Sequence, residues 1–203
     1  MKSSFQGAEI LRPSLDNKNY VSVSTERLQP QEIWLFCSHK GDMEKFASYL
    51  YDTFHLLVPA VGSIREAKGR QIIHFEDSSY FIIINTGGLN KKNLRTFSKF
   101  GKIRDLSAGV VVLRIKGRGS HELINRLVGI DAKEMEKSKN TVVYISSQVV
   151  SINKINKAVF EMIIPASYLL YFMSLIDSIL LMLQNKDKLS IEIDDLYLKL
   201  RNQ

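Results

Sequence analysis

The segment Ile103 to Val128, IRDLSAGVVVLRIKGRGSHELINRLV, constrains the fold more than any other part of the chain. It holds a turn (Leu106-Ser107-Ala108-Gly109), a β-branched run (Val110 to Ile115), a glycine corner (Gly117-Arg118-Gly119) and a short amphipathic helix. Val111, Leu113 and Ile115 point one way along the run and Val112, Arg114 and Lys116 the other, the period-2 pattern of a strand with one buried face. Ser120 is placed to cap the helix, Glu122 suits its positive first turn, and Leu123, Ile124, Leu127 and Val128 form one apolar stripe.

The same order of elements occurs earlier in the chain. Residues 1–32 show neither helical nor strand periodicity and read as an extended N-terminal arm. Ile33 to Cys37 is a short apolar strand. Asp42 then caps a helix whose Met43, Phe46, Ala47, Leu50 and Phe54 lie on one stripe. Gln71–Phe75 and Tyr80–Asn85 read as strands around a four-residue connection, Glu76 to Ser79, and Leu89–Phe100 as a basic helix. After the segment 103–128, strands are expected near 141–152 and 158–164, joined through 153–157, and a helix from Ala166 to about Gln184. Both halves, 33–102 and 103–203, thus read β-α-β-β-α, although no residue-level repeat accompanies the order. The expected architecture is a single α+β domain of two split β-α-β units with mostly antiparallel sheets and helices on one side.

Charge is uneven in a way that bears on partners. The chain carries a net +7, and nine basic residues against one acid, Asp105, fall between Lys91 and Arg118, so the remainder is almost neutral. Such a stretch reads first as a solvated face, then as a docking surface for an acidic protein, and last as a nucleic-acid footprint. Interleaved aromatics are limited to Phe97 and Phe100, which leaves base stacking poorly supported. A single cysteine, Cys37, excludes an internal disulfide framework and favours a reducing, cytoplasmic setting, and the first residues lack the apolar core of a signal peptide. Tyr168 to Leu183 is the most apolar segment; its 16 residues with Ser174, Asp177 and Ser178 inside argue against a bilayer span and for a helix buried on more than one side.

Reactive constellations are sparse. His39, His55, His74 and His121 stand alone, with no ligand spacing to each other or to Cys37, so no metal site is expected. Cys37 sits beside Trp34 and Phe36 as a small core residue. Gly117-Arg118-Gly119 opens a helix after a strand, the setting of a phosphate cradle, but the third glycine of a dinucleotide loop and the lysine-serine pair of a Walker loop are absent. The glycines are better read as a tight corner. The residues by themselves describe a binding or structural subunit.

Three stretches, in order, bring a known family into view. Arg104-Asp105-Leu106-Ser107-Ala108-Gly109, followed by VVVLRIKGRGSHELINRL and Gly129-Ile130-Asp131, resembles the gamma subunit of heterotetrameric sarcosine oxidase, a small relative of the folate-binding aminomethyltransferase fold. LLVPAVGSIREAKGRQIIHFEDSSYFII and FEMIIPASYLLYFMSLIDSI resemble two further regions of that family, so the likeness spans roughly 56–182. Glu76 to Phe81 departs from the family's Gly-Pro-Asp-Glu-Trp pattern, and the tryptophans of its last helix are missing.

The resemblance implies a fold like the N-terminal part of the aminomethyltransferases and a non-catalytic role. In such complexes FAD, FMN, NAD, zinc and tetrahydrofolate belong to the partner subunits, and the gamma subunit docks on alpha alongside beta and delta. The equivalent subunit of a related complex, such as N-methylglutamate dehydrogenase, and a stand-alone folate-binding protein are the alternatives. By position, Asp131 matches the aspartate of the transferase folate pocket; read from its neighbours, it caps the turn into Ala132 to Met135. The docking face is expected to draw on Arg104, Arg114 and Arg118 from the basic stretch and on Tyr168, Tyr171 and Phe172 from the last helix, with neither nucleic acid nor membrane as a partner.

Overall fold

The computed structural model describes residues 23–28, 32–39, 41–76, 79–84 and 88–183. The elements run β1 (Ser24–Leu28), β2 (Glu32–Ser38), α1 (Met43–Phe54), β3 (Ser63–Ala67), β4 (Arg70–Glu76), β5 (Ser79–Ile84), α2 (Lys91–Phe100) and β6 (Gly101–Asp105). They continue with β7 (Val110–Lys116), α3 (Ser120–Val128), β8 (Lys139–Ile145), β9 (Gln148–Asn156) and β10 (Val159–Pro165). The last helix, α4 (Ala166–Leu183), opens on a single 3-10 turn. All ten strands form one antiparallel sheet in the order β1-β7-β10-β9-β8-β3-β4-β5-β2-β6.

This is the expected α+β class, with ten strands where six were expected: β1, β3 and β6 are added, and the strand expected at 141–152 is divided into β8 and β9. The first unit is β2-α1-β3-β4-β5-α2 and the second β7-α3-β8-β9-β10-α4; β6 flanks β2 in the first as β1 flanks β7 in the second. The two halves are therefore related element by element and meet where β3 pairs β8 at Ser63 and Lys139. The missed hairpins share a cause. Ser146 and Ser147 both have positive φ (49° and 65°), as do Lys68 and Gly69 (48° and 73°). Each pair makes a two-residue hairpin loop, and Ser-Ser lacks the Asn-Gly or Asp-Gly signature that marks one in sequence. The arm likewise supplies a strand, β1, whose Leu28 and Glu26 pair with Val112 and Arg114. Asn85 and Gln184, expected element ends, and the 77–78 hairpin link lie outside the described residues.

The connection between β6 and β7 shows the shape of the sheet. These strands lie eight positions apart in the strand order, roughly 38 Å if the sheet were flat. Residues 106–109, which join them, span no more than about 18 Å. The sheet must therefore curl until its ends approach, and the connecting turn is anchored on β2, where Leu106 N donates to Ile33 O (2.8 Å) and Ile33 N to Ser107 Oγ (3.0 Å).

Curling gives the sheet an outer face packed by helices and an inner face packed on itself. Outside, α3 and α4 cover an aliphatic core that includes Leu113, Ile115, Leu123, Ile152 and Met162. α1 and α2 cover an aromatic one, in which Phe36 stacks on Phe46 at 4.2 Å and Phe97 lies 5.7 Å from Phe36. Inside, Ile33, Ile64, Ile73, Val112 and Ile163 meet from both halves. β7 is thus buried on both faces, with Val112 inside, in place of the single buried face its alternation implied.

Beside that inner cluster runs a polar row. Glu26, Arg114, Glu161, Asn153 and Asn140 are register partners across β1, β7, β10, β9 and β8. Arg114 grips Glu161 Oε1 through Nε (3.1 Å) and Nη2 (2.6 Å). Gln71, from β4 in the other half, donates to Glu161 Oε2 (3.4 Å) and Glu66 Oε1 (2.6 Å), stitching the two units through the interior.

Glu161 is 3% exposed, so Arg114→Met should strand a buried carboxylate and cost about 3 kcal/mol, the low end of the range because Arg114 itself keeps 37% of its side-chain surface. Arg114→Met combined with Glu161→Leu should recover most of that loss, and urea unfolding of the two variants measures the difference. Gly101 poses a second test. A Cβ there would stand 2.2 Å from Cys37 O and 2.7 Å from Phe36 Cζ, so Gly101→Ala should cost about 1–3 kcal/mol in the same assay.

Candidate functional site

Residues read as chemically relevant in the sequence fall into three places. The first is the loop after α3. Asp131 is exposed and its Oδ1 accepts from Lys133 N (2.9 Å), closing a turn. Ala132 N donates to Asn125 Oδ1 (2.8 Å), and the buried Lys154 Nζ donates to the carbonyls of Ala132 (2.8 Å) and Lys133 (3.1 Å). One of its two carboxylate oxygens is thus held in its own turn. The cleft described by the structure, about 400 Å³ between Ile64, Glu66, Lys137 and Ile155 at the β3–β8 junction, does not include Asp131.

His121 faces the same loop, its ring edge-on to Phe160 at 5.4 Å. Burial lowers its pKa from the ordinary 6.5, and the nearby Lys154 and Lys133 lower it further against a smaller opposing pull from Asp131. Ser120, expected as the α3 cap, is instead the first helical residue; Gly119 stands at the cap and the buried Ser120 Oγ has no partner. Corner residues Gly117 to Gly119 serve the strand-to-helix turn, with Gly117 N bonded to Ala158 O (3.0 Å). Among the described residues no three His, Cys, Asp or Glu side chains converge as metal ligands. His74 is buried on Pro59 O (2.9 Å), and Cys37 Sγ lies 3.7 Å from Ser79 Oγ.

The second place is the basic stretch, which the fold divides. Lys91, Lys92, Arg95, Lys99, Lys102 and Arg104 are exposed on α2 and β6, at one end of the strand order. Arg114 and Lys116 lie on β7, where they pair with Glu161 and Glu26. Arg118 is exposed in the corner after β7. The expectation for Arg114 is narrowed here, since its guanidinium holds Glu161 while 37% of its side chain stays exposed.

The third place is α4 with the β8–β9 hairpin tip. Phe172, Ile176, Ile179, Leu180 and Leu183 fill the core from one side of the helix. Phe172 is fully buried, so the docking role expected for it is corrected. The opposite side is open: Leu170 is 83% exposed, and Tyr168, Tyr171, Leu181 and Met182 are exposed as well. Only 28% of the helix is buried, fewer sides than its apolar composition implied; with mean hydropathy 1.8 over 18 residues it is long and apolar enough to cross a membrane by length and composition alone. Tyr144 (76% exposed) and Val149, a cross-strand pair, project from the neighbouring hairpin, whose Ser146 Oγ hydrogen-bonds Tyr171 OH. The sequence offered no signal for this hairpin tip.

The fold and these surfaces define a curled α+β protein of two like units whose last helix leaves one uncharged flank exposed. No family model and no curated protein matches the sequence. Among solved structures, the chain shares its fold with a chain of the heterotetrameric sarcosine oxidase from Corynebacterium sp. U-96 in complex with pyrrole 2-carboxylate. The TM-score is 0.67 at 14% identity, covering 80% of this chain and 85% of that one. The family likeness read from residues 56–182 is thus matched by a likeness of fold over most of both chains, and the chain is related in fold to a subunit of an oxidase complex.

His121 yields a pH test. Its folded pKa lies below that of the unfolded chain, so the unfolded state binds more protons as pH falls through and below 6.5, and stability declines over that window but not above it. His121→Leu should lose this component: the gap between wild-type and variant urea midpoints should change between pH 7.5 and 5.5 and stay constant above 7.5.

Proposed function

We propose that this chain is a non-catalytic, gamma-type subunit of a sarcosine-oxidase-like heterotetramer, docking on the large alpha subunit. The observation that carries the reading is the fold match over most of both chains to a subunit of such an enzyme. Two features of the chain support it. The carboxylate at the folate-matching position, Asp131, is held in a turn. A broad apolar surface is left open, as expected of a chain that works inside an assembly. On this reading FAD, FMN, NAD, zinc and tetrahydrofolate are bound by the alpha, beta and delta partners in the cytoplasm, and this subunit braces the complex. The equivalent place in a related N-methyl amino acid dehydrogenase is the variant of the same role.

Affinity purification of the full chain from its native cells should bring down flavin-bearing partners with oxidase or dehydrogenase activity toward an N-methyl amino acid. Tetrahydrofolate titrated into the isolated chain should give no saturable signal, and Asp131→Ala should change nothing. Recovery of the chain alone, or folate binding abolished by Asp131→Ala, would overturn the assignment in favour of a free folate protein.

A further inference from the structure

A strand that starts late leaves a place in its sheet. β8 begins at Lys139, level with Ser63 of β3 on one side and Lys154 of β9 on the other. Both neighbours run past that level, β3 through Ile64 to Ala67 and β9 through Ile155 and Asn156. Upstream of Lys139 the chain turns out of the strand path at Ser138, whose φ is 60°. The two neighbours there stand two strand spacings apart, roughly 10 Å, with the room of one strand between them.

The cleft of about 400 Å³ occupies that place. Ile64, Arg65 and Glu66 line one side, Ile155 and Asn156 the other, and Lys137 and Ser138 the closed end. Consecutive residues line it although side chains along a strand alternate between faces, so the cleft lies in the plane of the sheet. Ser138 closes it by bonding to both walls: Ile64 N donates to Ser138 O (2.9 Å) and Ser138 N to Lys154 O (2.8 Å).

The walls are strand edges. Ile64 turns its N–H toward β8, and two residues on, by antiparallel alternation, Glu66 turns its backbone N–H and C=O to the same side, past the start of β8. Ile155 has no register partner on β8 or on β10, where pairing steps from Lys154 to Asn156. Edges of this kind recruit an extended chain. Direction decides which end of that chain enters. Every pairing in the sheet is antiparallel, and β3 and β9 both run outward from the closed end. A strand antiparallel to both runs inward and stops at Ser138, so a C-terminus leads. Its carboxylate arrives beside Lys137, which has no ion pair among the described residues. Arg65 adds a second cation to the lining, and the one carboxylate there, Glu66, has its Oε1 taken by Gln71 Nε2 (2.6 Å).

We infer that the slot between β3 and β9 binds the C-terminal end of a partner polypeptide as a short extended strand, its α-carboxylate held by Lys137. Backbone pairing to the two edges gives sequence-tolerant affinity, and the closed end with its cation selects a free chain end over an internal segment. The inference concerns a site apart from the fold likeness and stands or falls independently of the subunit reading.

The probe is a random heptapeptide library displayed with free C-termini and panned on the full chain. The best binder is then synthesised with a free carboxylate and as the C-terminal amide, and each is titrated by fluorescence anisotropy. The chains titrated are wild type, Lys137→Met, Lys137→Arg and a control on α2, Lys99→Met. Amidation and Lys137→Met should each weaken binding about tenfold or more, the scale of one hydrogen bond to a charged group. Lys137→Arg and Lys99→Met should retain it. In nitrogen-15 spectra the amides of Glu66, Ser138 and Ile155 should shift on binding, and the Glu66 amide should gain exchange protection. A library without binders, equal binding of the amide, indifference to Lys137→Met, or shifts confined to other residues would overturn the proposal. So would a Glu66 amide already protected in the free chain and exposed when residues 1–22 or 184–203 are removed, since the slot would then belong to the chain's own segment.

Discussion

The curl of the sheet is the constraint on which everything else in this molecule depends. Ten antiparallel strands in one flat layer would leave an entire face uncovered, because all four helices lie on the other. Bending the sheet until its two halves face each other removes that problem without a further layer. The inner space is filled by five aliphatic side chains contributed by both halves and by the row containing Arg114, Glu161 and Asn153. Strands β4 and β10 lie four positions apart in the sheet, yet Gln71 reaches Glu161 across the interior. An apolar row in the same place would bury more hydrophobic surface but fix the angle between the halves less sharply. Directional bonds from one arginine and one glutamine define that angle.

The same constraint explains why the turn at 105–109 carries so much of the family likeness. Asp105 Oδ1 accepts from both Ser107 N (2.8 Å) and Ser107 Oγ (2.6 Å). The hydroxyl so oriented accepts from Ile33 N, and Gly109 O accepts from Ala166 N (2.9 Å) at the start of α4. Six residues thereby join β2, β6, β7 and α4 at the point where the curled sheet nearly closes. The Asp-Leu-Ser turn is thus explained by the architecture of this chain, and by itself says nothing about chemistry.

Much of this was legible in the sequence, and what was not has local physical causes. The strand-to-helix segment 110–128 and the helix stripes of α1 and α4 could be read because their apolar periods are long and regular. The β3–β4 and β8–β9 hairpins were missed because Lys68-Gly69 and Ser146-Ser147 turn the chain in two residues without the usual asparagine or aspartate, and β6, five residues directly after α2, was too short to show a period. β1 was invisible because Ser-Thr-Glu-Arg-Leu lies at a sheet end, where pairing with β7 supplies what periodicity does not. Of the docking residues, Phe172 was misread because sequence gives its type whereas its burial depends on helix phase, and the ion pair of Arg114 could not be foreseen because its carboxylate lies 47 residues away. Tyr168 and Tyr171 are exposed on α4, and Tyr144 with Val149 is exposed on the hairpin that was missed.

The comparison between halves carries one step further. If the two units arose under the same packing rules, their differences mark what each half does beyond folding. The first half builds its core from stacked rings and clothes its equivalent helix in lysine and arginine, a self-contained and solvated body. The second half packs mainly aliphatic side chains and buries one flank of a helix whose other flank, a mix of leucine, methionine, tyrosine and serine, carries no charged residue among its exposed ones. A solvent-facing flank of this kind is unfavourable for an isolated chain, since each exposed leucine forgoes about 1.5–3 kcal/mol of burial. Because α2 shows that the fold accepts a charged flank at the equivalent place, the uncharged flank of α4 is a property of the second half's own sequence and not a requirement of the architecture.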